Sequence, residues 1–127
     1  MRLYYTPIKG YVHTAEAVIE YAGLRERVTP VPTKPYAQDT PLVDVNPLGK
    51  VPTLLLDDGE YLAGGPVIYE YLDSLHARQP LYPHGPRRWQ ALRRAWLADG
   101  LFDQLVLLIV EGWAPREAQR AEYARRC

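Results

Sequence analysis

Lys50, Val51 and Pro52 lead into the most apolar strand candidate of the chain, Val51 to Leu56. Proline has no N–H to give to a sheet, and a cis bond before it would turn the preceding backbone outward at the sheet edge. The Val51 N–H and C=O would then be open to an extended peptide. A plainer alternative, a strand that begins with Val-Pro after a turn, stays open on these residues alone. His13, His76 and His84 share no ligand spacing with one another or with an acidic cluster, so no metal site is expected. Cys127 is the only cysteine and the last residue, which excludes an internal disulfide, a CxxC pair and dithiol redox chemistry within the chain. Asp57 and Asp58 read as turn residues. Asp99 and Asp103, four apart on a helical stretch, could face a substrate cleft, although helical carboxylates at that spacing are usually solvated.

A chain of 127 residues with 47% hydrophobic and 24% charged side chains is long and apolar enough for one buried core. Fifteen basic residues balance fifteen acidic ones, so no net field draws it to nucleic acid or an anionic membrane. The longest apolar run, Leu105 to Val110, has six residues, against the roughly 20 that cross a bilayer. The first residues, MRLYYTP, lack a secretory signal's apolar stretch. These features predict a soluble, cytoplasmic protein.

The elements follow from periodicity. Arg2 to Tyr5 alternates as a short strand and stops at TPIKG. Val12, Ala15, Ile19 and Ala22 then mark one face of a helix, with Gly23 suited to its C-terminal cap. Val28 to Pro32 reads as a second strand that its two prolines confine to an edge. Thr33 to Lys50 reads as a long excursion, of the kind that is often functional. Val51 to Leu56 and Tyr61 to Ala63 form a hairpin around Asp57–Glu60, and Val67, Ile68, Tyr71, Leu72 and Leu75 recur at helical spacing after Pro66. A proline-bearing segment, His76 to Pro86, precedes a long helix from Arg87 to about Gly112, and a shorter helix is expected from Pro115. Strand, helix, strand, excursion, hairpin and helix is the order of a four-stranded mixed sheet with helices packed on it, its first two strands parallel. The expected fold is α/β and thioredoxin-like, followed by a truncated all-helical segment. Domain limits are set at 1–78, a linker at 79–86, and an incomplete helical C-terminal domain at 87–127.

Three stretches, YYTPIKGYV at the first strand and helix start, NPLGKVPTLLLDDGEYL from Asn46 to Leu62, and PVIYEYLDSLH from Pro66 to His76, resemble the N-terminal domain of cytosolic glutathione S-transferases. The resemblance implies a cis Pro52, with the residue before it pairing antiparallel to the cysteinyl part of glutathione, the cosubstrate. It implies that a hydroxyl near the first helix stabilises the glutathione thiolate, because a free thiol near pKa 8.5 is mostly protonated at neutral pH. Tyr5 matches the hydroxyl-donating tyrosine of tyrosine-type members, and Thr6 is the next candidate. Bacterial members usually carry serine or cysteine two or three residues past Pro7, where this chain has Lys9, whose ammonium could pair with a thiolate or a carboxylate. Lys50 would reach the glycyl carboxylate, and Tyr36 stands where members often have an aromatic residue. Gly64 and Gly65 replace the acidic or Gln residue and the serine that hold the γ-glutamyl carboxylate, leaving the N–H groups of Gly64, Gly65 and Val67 for that task. The implied activity is transfer of glutathione to an apolar electrophile, with a homodimer covering the apolar face of the long helix. The alternative is a noncatalytic transferase-like module for dimerisation or partner binding that has lost efficient glutathione binding.

Overall fold

A computed structural model of the chain describes residues 1–7 and 11–120. Lys9 and the last seven residues, with Cys127, lie outside them. The first strand, β1 (Arg2–Tyr5), is followed by α1 (Tyr11–Ala22), which ends at Gly23 with φ +68°. That left-handed backbone is what makes glycine the natural residue there. β2 (Thr29–Pro32) runs parallel to β1, whereas β3 (Thr53–Leu55) and β4 (Tyr61–Ala63) form an antiparallel hairpin; the sheet order is β2-β1-β3-β4. β1 pairs antiparallel with β3, Leu3 opposite Leu54. Pro30 and Pro32 do sit on an edge strand, where a missing N–H costs least.

The excursion between β2 and β3 holds an element that its composition hid. Leu42–Val45 forms one helical turn, α2, entered from Pro41 and steadied by the Leu42 N–H donating to Thr40 Oγ1 at 3.4 Å. The fully buried Leu42 pins the excursion to the body of the protein. After β4 comes α3 (Gly65–Asp73), which packs on α1, and then the 27-residue α4 (Pro86–Gly112). Beyond α4 the described residues contain a single 3-10 turn, Arg116–Ala118, in place of the helix expected from Pro115; the rest of that expected helix lies outside them.

One core lies between the sheet and the two helices α1 and α3, built from Leu3, Ala15, Val18, Leu54, Ile68 and Leu72. Burial of that many aliphatic side chains, at about 1.5–3 kcal/mol each, is the main drive to fold. α4 contributes Ala91, Leu92 and Ala95 to the edge of this core, and none of its residues is fully buried. Its opposite side exposes Trp89, Trp96, Leu97 and Leu101. Arg88 on α4 pairs with Glu70 on α3, tying the two helices together.

The joint between α3 and α4 is polar and buried. Asp73, the last residue of α3, is 5% exposed. Its carboxylate accepts the backbone N–H groups of Leu81 and Tyr82 at 2.9 and 3.0 Å and meets His76 Nε2 at 2.9 Å. His76 Nδ1 in turn accepts the Arg78 N–H at 3.0 Å, which leaves the Nε2 proton for Asp73. A segment that composition marks only as a proline-rich linker is therefore laced to the end of α3.

Candidate functional site

Construction of the site begins at Asn46, which is 1% exposed. Its Nδ2 donates to the Lys50 carbonyl at 3.2 Å and to Thr53 Oγ1 at 2.9 Å, and its Oδ1 accepts the Leu48 N–H at 3.0 Å. Thr53 Oγ1 passes a further bond to the same Lys50 carbonyl at 2.7 Å. Gly49, with φ +59°, turns the chain between these anchors. The Asn-Pro-Leu-Gly-Lys-Val-Pro-Thr stretch is thus a side-chain-built loop.

This wiring aims one donor. The Lys50 C=O and the Val51 N–H belong to one trans peptide plane and point opposite ways. With the carbonyl held inward by Asn46 and Thr53, the Val51 N–H is turned outward, and among the described residues it has no hydrogen-bond partner. The Val51–Pro52 bond itself is cis, and Pro52 is buried behind it. Asn46→Ala is expected to lower stability by about 2 kcal/mol, because it leaves buried groups unpaired. Amide exchange at Leu48, whose N–H loses its acceptor, should accelerate more than in the strands.

Val51 opens onto a cleft of about 830 Å³ between the excursion and the C-terminal half of α4. Thr6, Tyr36 and Lys50 line it with Val51, facing an apolar wall in which Phe102, Val106 and Ile109 come from α4. Tyr36 also meets Trp113, just past α4, edge to face, with ring centroids 5.5 Å apart. Four of the residues singled out in the sequence are therefore brought together. Tyr5, one residue before Thr6, is half-buried at the end of β1 and does not line the cleft. Pro52 underlies the cleft without lining it. Lys9 falls outside the described residues.

Gly64 and Gly65, at the N-terminus of α3, do not line this cleft. Gly64 has φ +89°, and its carbonyl accepts the Ile68 N–H at 3.1 Å. Gly65 is buried, and a Cβ added there would overlap Asp99 Oδ1 and lie 2.8 Å from the Tyr69 hydroxyl. The expectation that Asp99 is a solvated carboxylate is corrected here. Burial, and then the neighbouring Asp103, push its carboxyl up to about 6. Burial also raises the Tyr69 hydroxyl above its ordinary value and lifts that of Tyr82 to about 12. Asp103 is exposed to solvent and lines the cleft. Helical spacing shows that the two acids share a face; only the crossing of α4 over α3 decides what that face meets.

Comparison with known proteins gives these features a frame. Residues 10–75 match the profile of the family described as glutathione S-transferase, N-terminal domain. The uncharacterized GST-like protein YibF of Escherichia coli (strain K12) is 34% identical over 89 residues, covering 69% of this chain and 44% of that relative. Among solved structures, a glutathione transferase family member from Pseudomonas fluorescens Pf-5 with bound glutathione is 34% identical, with a TM-score of 0.86. That match covers 96% of this chain and 62% of the other. A glutathione S-transferase from Methylobacillus flagellatus KT with glutathione bound is 33% identical at a TM-score of 0.84, covering 98% and 61%. The chain thus spans less than half of the curated relative and about three fifths of these structures. No described helix is long and apolar enough to cross a membrane. With its profile match, its thioredoxin-like sheet and its Val-Pro loop at the cleft, the chain belongs to the glutathione S-transferase family.

Proposed function

We propose that the protein binds glutathione along the Val51 edge and joins it, through its sulfur, to an apolar electrophile lodged against α4. The observation that carries this reading is that Thr6, Lys50 and Val51, the last with its N–H turned outward, line one cleft with an apolar far wall. Glutathione bound to the related Pseudomonas and Methylobacillus proteins supports the same ligand here. In this scheme the cysteinyl backbone adds to Val51 as an extra strand, and Lys50 pairs with the glycyl carboxylate. Tyr36 flanks the tripeptide.

The Thr6 hydroxyl donates to the sulfur and favours the thiolate. The thiol proton leaves to solvent, the thiolate forms a C–S bond with the electrophilic carbon, and the leaving group departs with the electron pair of the broken bond. Tyr5 and Lys9 remain alternative partners for the sulfur, with Thr6 favoured by its position on the cleft. The N–H groups of Gly65 and Val67 are the donors for the γ-glutamyl carboxylate. A glutathione-using protein belongs with the cytoplasmic thiol pool. The exposed Trp96 and Leu101 face of α4 supports a homodimer. The domain limits 1–78, 79–86 and 87–127 accompany this reading.

A second reading, a noncatalytic family module, draws support from Asp99. Its carboxyl beside Gly65 faces the place where a ligand carboxylate would sit, and like charges there weaken binding. Calorimetry with glutathione separates the two readings. Saturable heat with Kd in the micromolar to low millimolar range, together with a thiolate absorbance titrating below the free thiol's pKa, supports the transferase. A silent titration at millimolar glutathione sinks it and leaves the module.

A further inference from the structure

Beside the cleft lies a second cavity, about 230 Å³, where α1, α3 and α4 meet. Thr14 and Val18 of α1, Tyr69 of α3, Tyr82, and Ala95, Ala98, Asp99 and Phe102 of α4 line it. Small residues at 95 and 98 let α4 come close, and the missing side chain of Gly65 leaves the volume into which the Asp99 carboxyl projects. Among the described residues no cation lines this cavity. The titratable groups facing Asp99 are Tyr69 from α3, Tyr82 from the segment before α4, and Asp103 from α4 itself.

We propose that Asp99 is a protonation-controlled wedge at the α3–α4 joint, seated beside Gly65 when neutral and drawn toward water when ionised. Phe102, which lines both cavities, carries this state to the cleft, so the α4 wall sits closer when Asp99 is protonated. The half-buried Asp99 carboxyl shares this niche with the Tyr69 and Tyr82 hydroxyls and has Asp103 four residues along its helix; partial burial and the like charge of Asp103 disfavour the carboxylate there, whereas the neutral acid can donate a hydrogen bond.

The direction with pH follows from the carboxyl's rise from the ordinary 3.8 to about 6. Stabilisation of the seated state is complete below about 4 and is lost as pH rises through about 6. The full shift would correspond to about a hundredfold change; with the group half-exposed, about tenfold is expected.

Hydrogen exchange of the intact chain, corrected for the intrinsic pH dependence of exchange, tests the wedge without any ligand, so its outcome is independent of the glutathione reading. In wild type, amides of residues 99–109 should be about tenfold better protected at pH 5 than at pH 7.5. Asp99→Asn, which stays neutral, should hold the high protection at both values, and Asp103→Asn should move the transition to lower pH. Gly65→Ala fills the seat and should abolish the extra protection at pH 5, which keeps the test decisive if Asp99→Asn does not fold. A flat profile in wild type, or an undiminished pH dependence in both Asp99→Asn and Gly65→Ala, overturns the proposal.

Discussion

Asp73→Ala is expected to lower the free energy of unfolding by about 3–5 kcal/mol, the scale for removing one partner of a buried charged network. The reason lies in the count of groups it serves. Two backbone N–H groups, of Leu81 and Tyr82, and the His76 ring all point at this one carboxylate, and each loses its partner together. In a chain of this size that loss corresponds to a fall in Tm of about 10–20 °C. Asp73→Asn should recover only part of it, since an amide presents one acceptor oxygen and turns an NH2 toward a group that also donates. Thermal melts of the three proteins check both steps. Equal melting temperatures for wild type and Asp73→Ala would mean that the lacing of the linker to α3 contributes nothing.

The second large effect concerns the thiol. Thr6→Val preserves shape and removes the hydroxyl, so under the proposed function it removes a hydrogen bond to a charged sulfur, worth about 1.5–3 kcal/mol. That is one to two pKa units of the bound thiol, or about a 10- to 100-fold loss of conjugation rate at neutral pH. The loss should shrink as pH approaches the free thiol's pKa, where the thiolate forms unaided. Tyr5→Phe should change the rate by less than about threefold, because Tyr5 does not line the cleft. Stopped assays with a chlorinated aromatic electrophile, run across pH, check the pair. A large loss in Tyr5→Phe with Thr6→Val unaffected would reverse the assignment and favour a tyrosine-type site.

How much of this was legible in the residues depends on whether a feature is local. Gly23 ending α1, the Asp57–Glu60 turn and the edge position of β2 are consequences of backbone rules that one or two side chains obey or break. The third strand was read as starting two residues too early, since β3 begins at Thr53, after the Val51–Pro52 bond. Helix α2 escaped notice because a single turn shows no periodicity, and nothing in Leu42–Val45 singles out Leu42 from its apolar neighbours Val43 and Val45 as the buried anchor.

The site was legible where sequence neighbours build it and obscure where distant helices do. Lys50 and Val51 are set by Asn46 and Thr53, all within eight residues. The choice between Tyr5 and Thr6 turns on where β1 ends, and alternation gives little help when Leu3 and Tyr4 are both buried. Phe102, Val106 and Ile109 were assigned to an apolar helix with no view of the cleft they wall. Asp99 was misjudged for the same reason, because its surroundings come from α3, about 30 residues upstream, and from the absence of a side chain at Gly65. The Asp99 carboxyl occupies the space that a side chain at Gly65 would take.

The central claim is that the peptide held between Asn46 and Thr53 presents the Val51 N–H to a cysteine-bearing tripeptide. Amide-resolved NMR during a glutathione titration measures this directly. The account predicts a saturable downfield shift of the Val51 amide with slowed exchange, and smaller changes at Lys50 and Thr6. A Val51 amide that stays unmoved while glutathione binds elsewhere on the chain would contradict it.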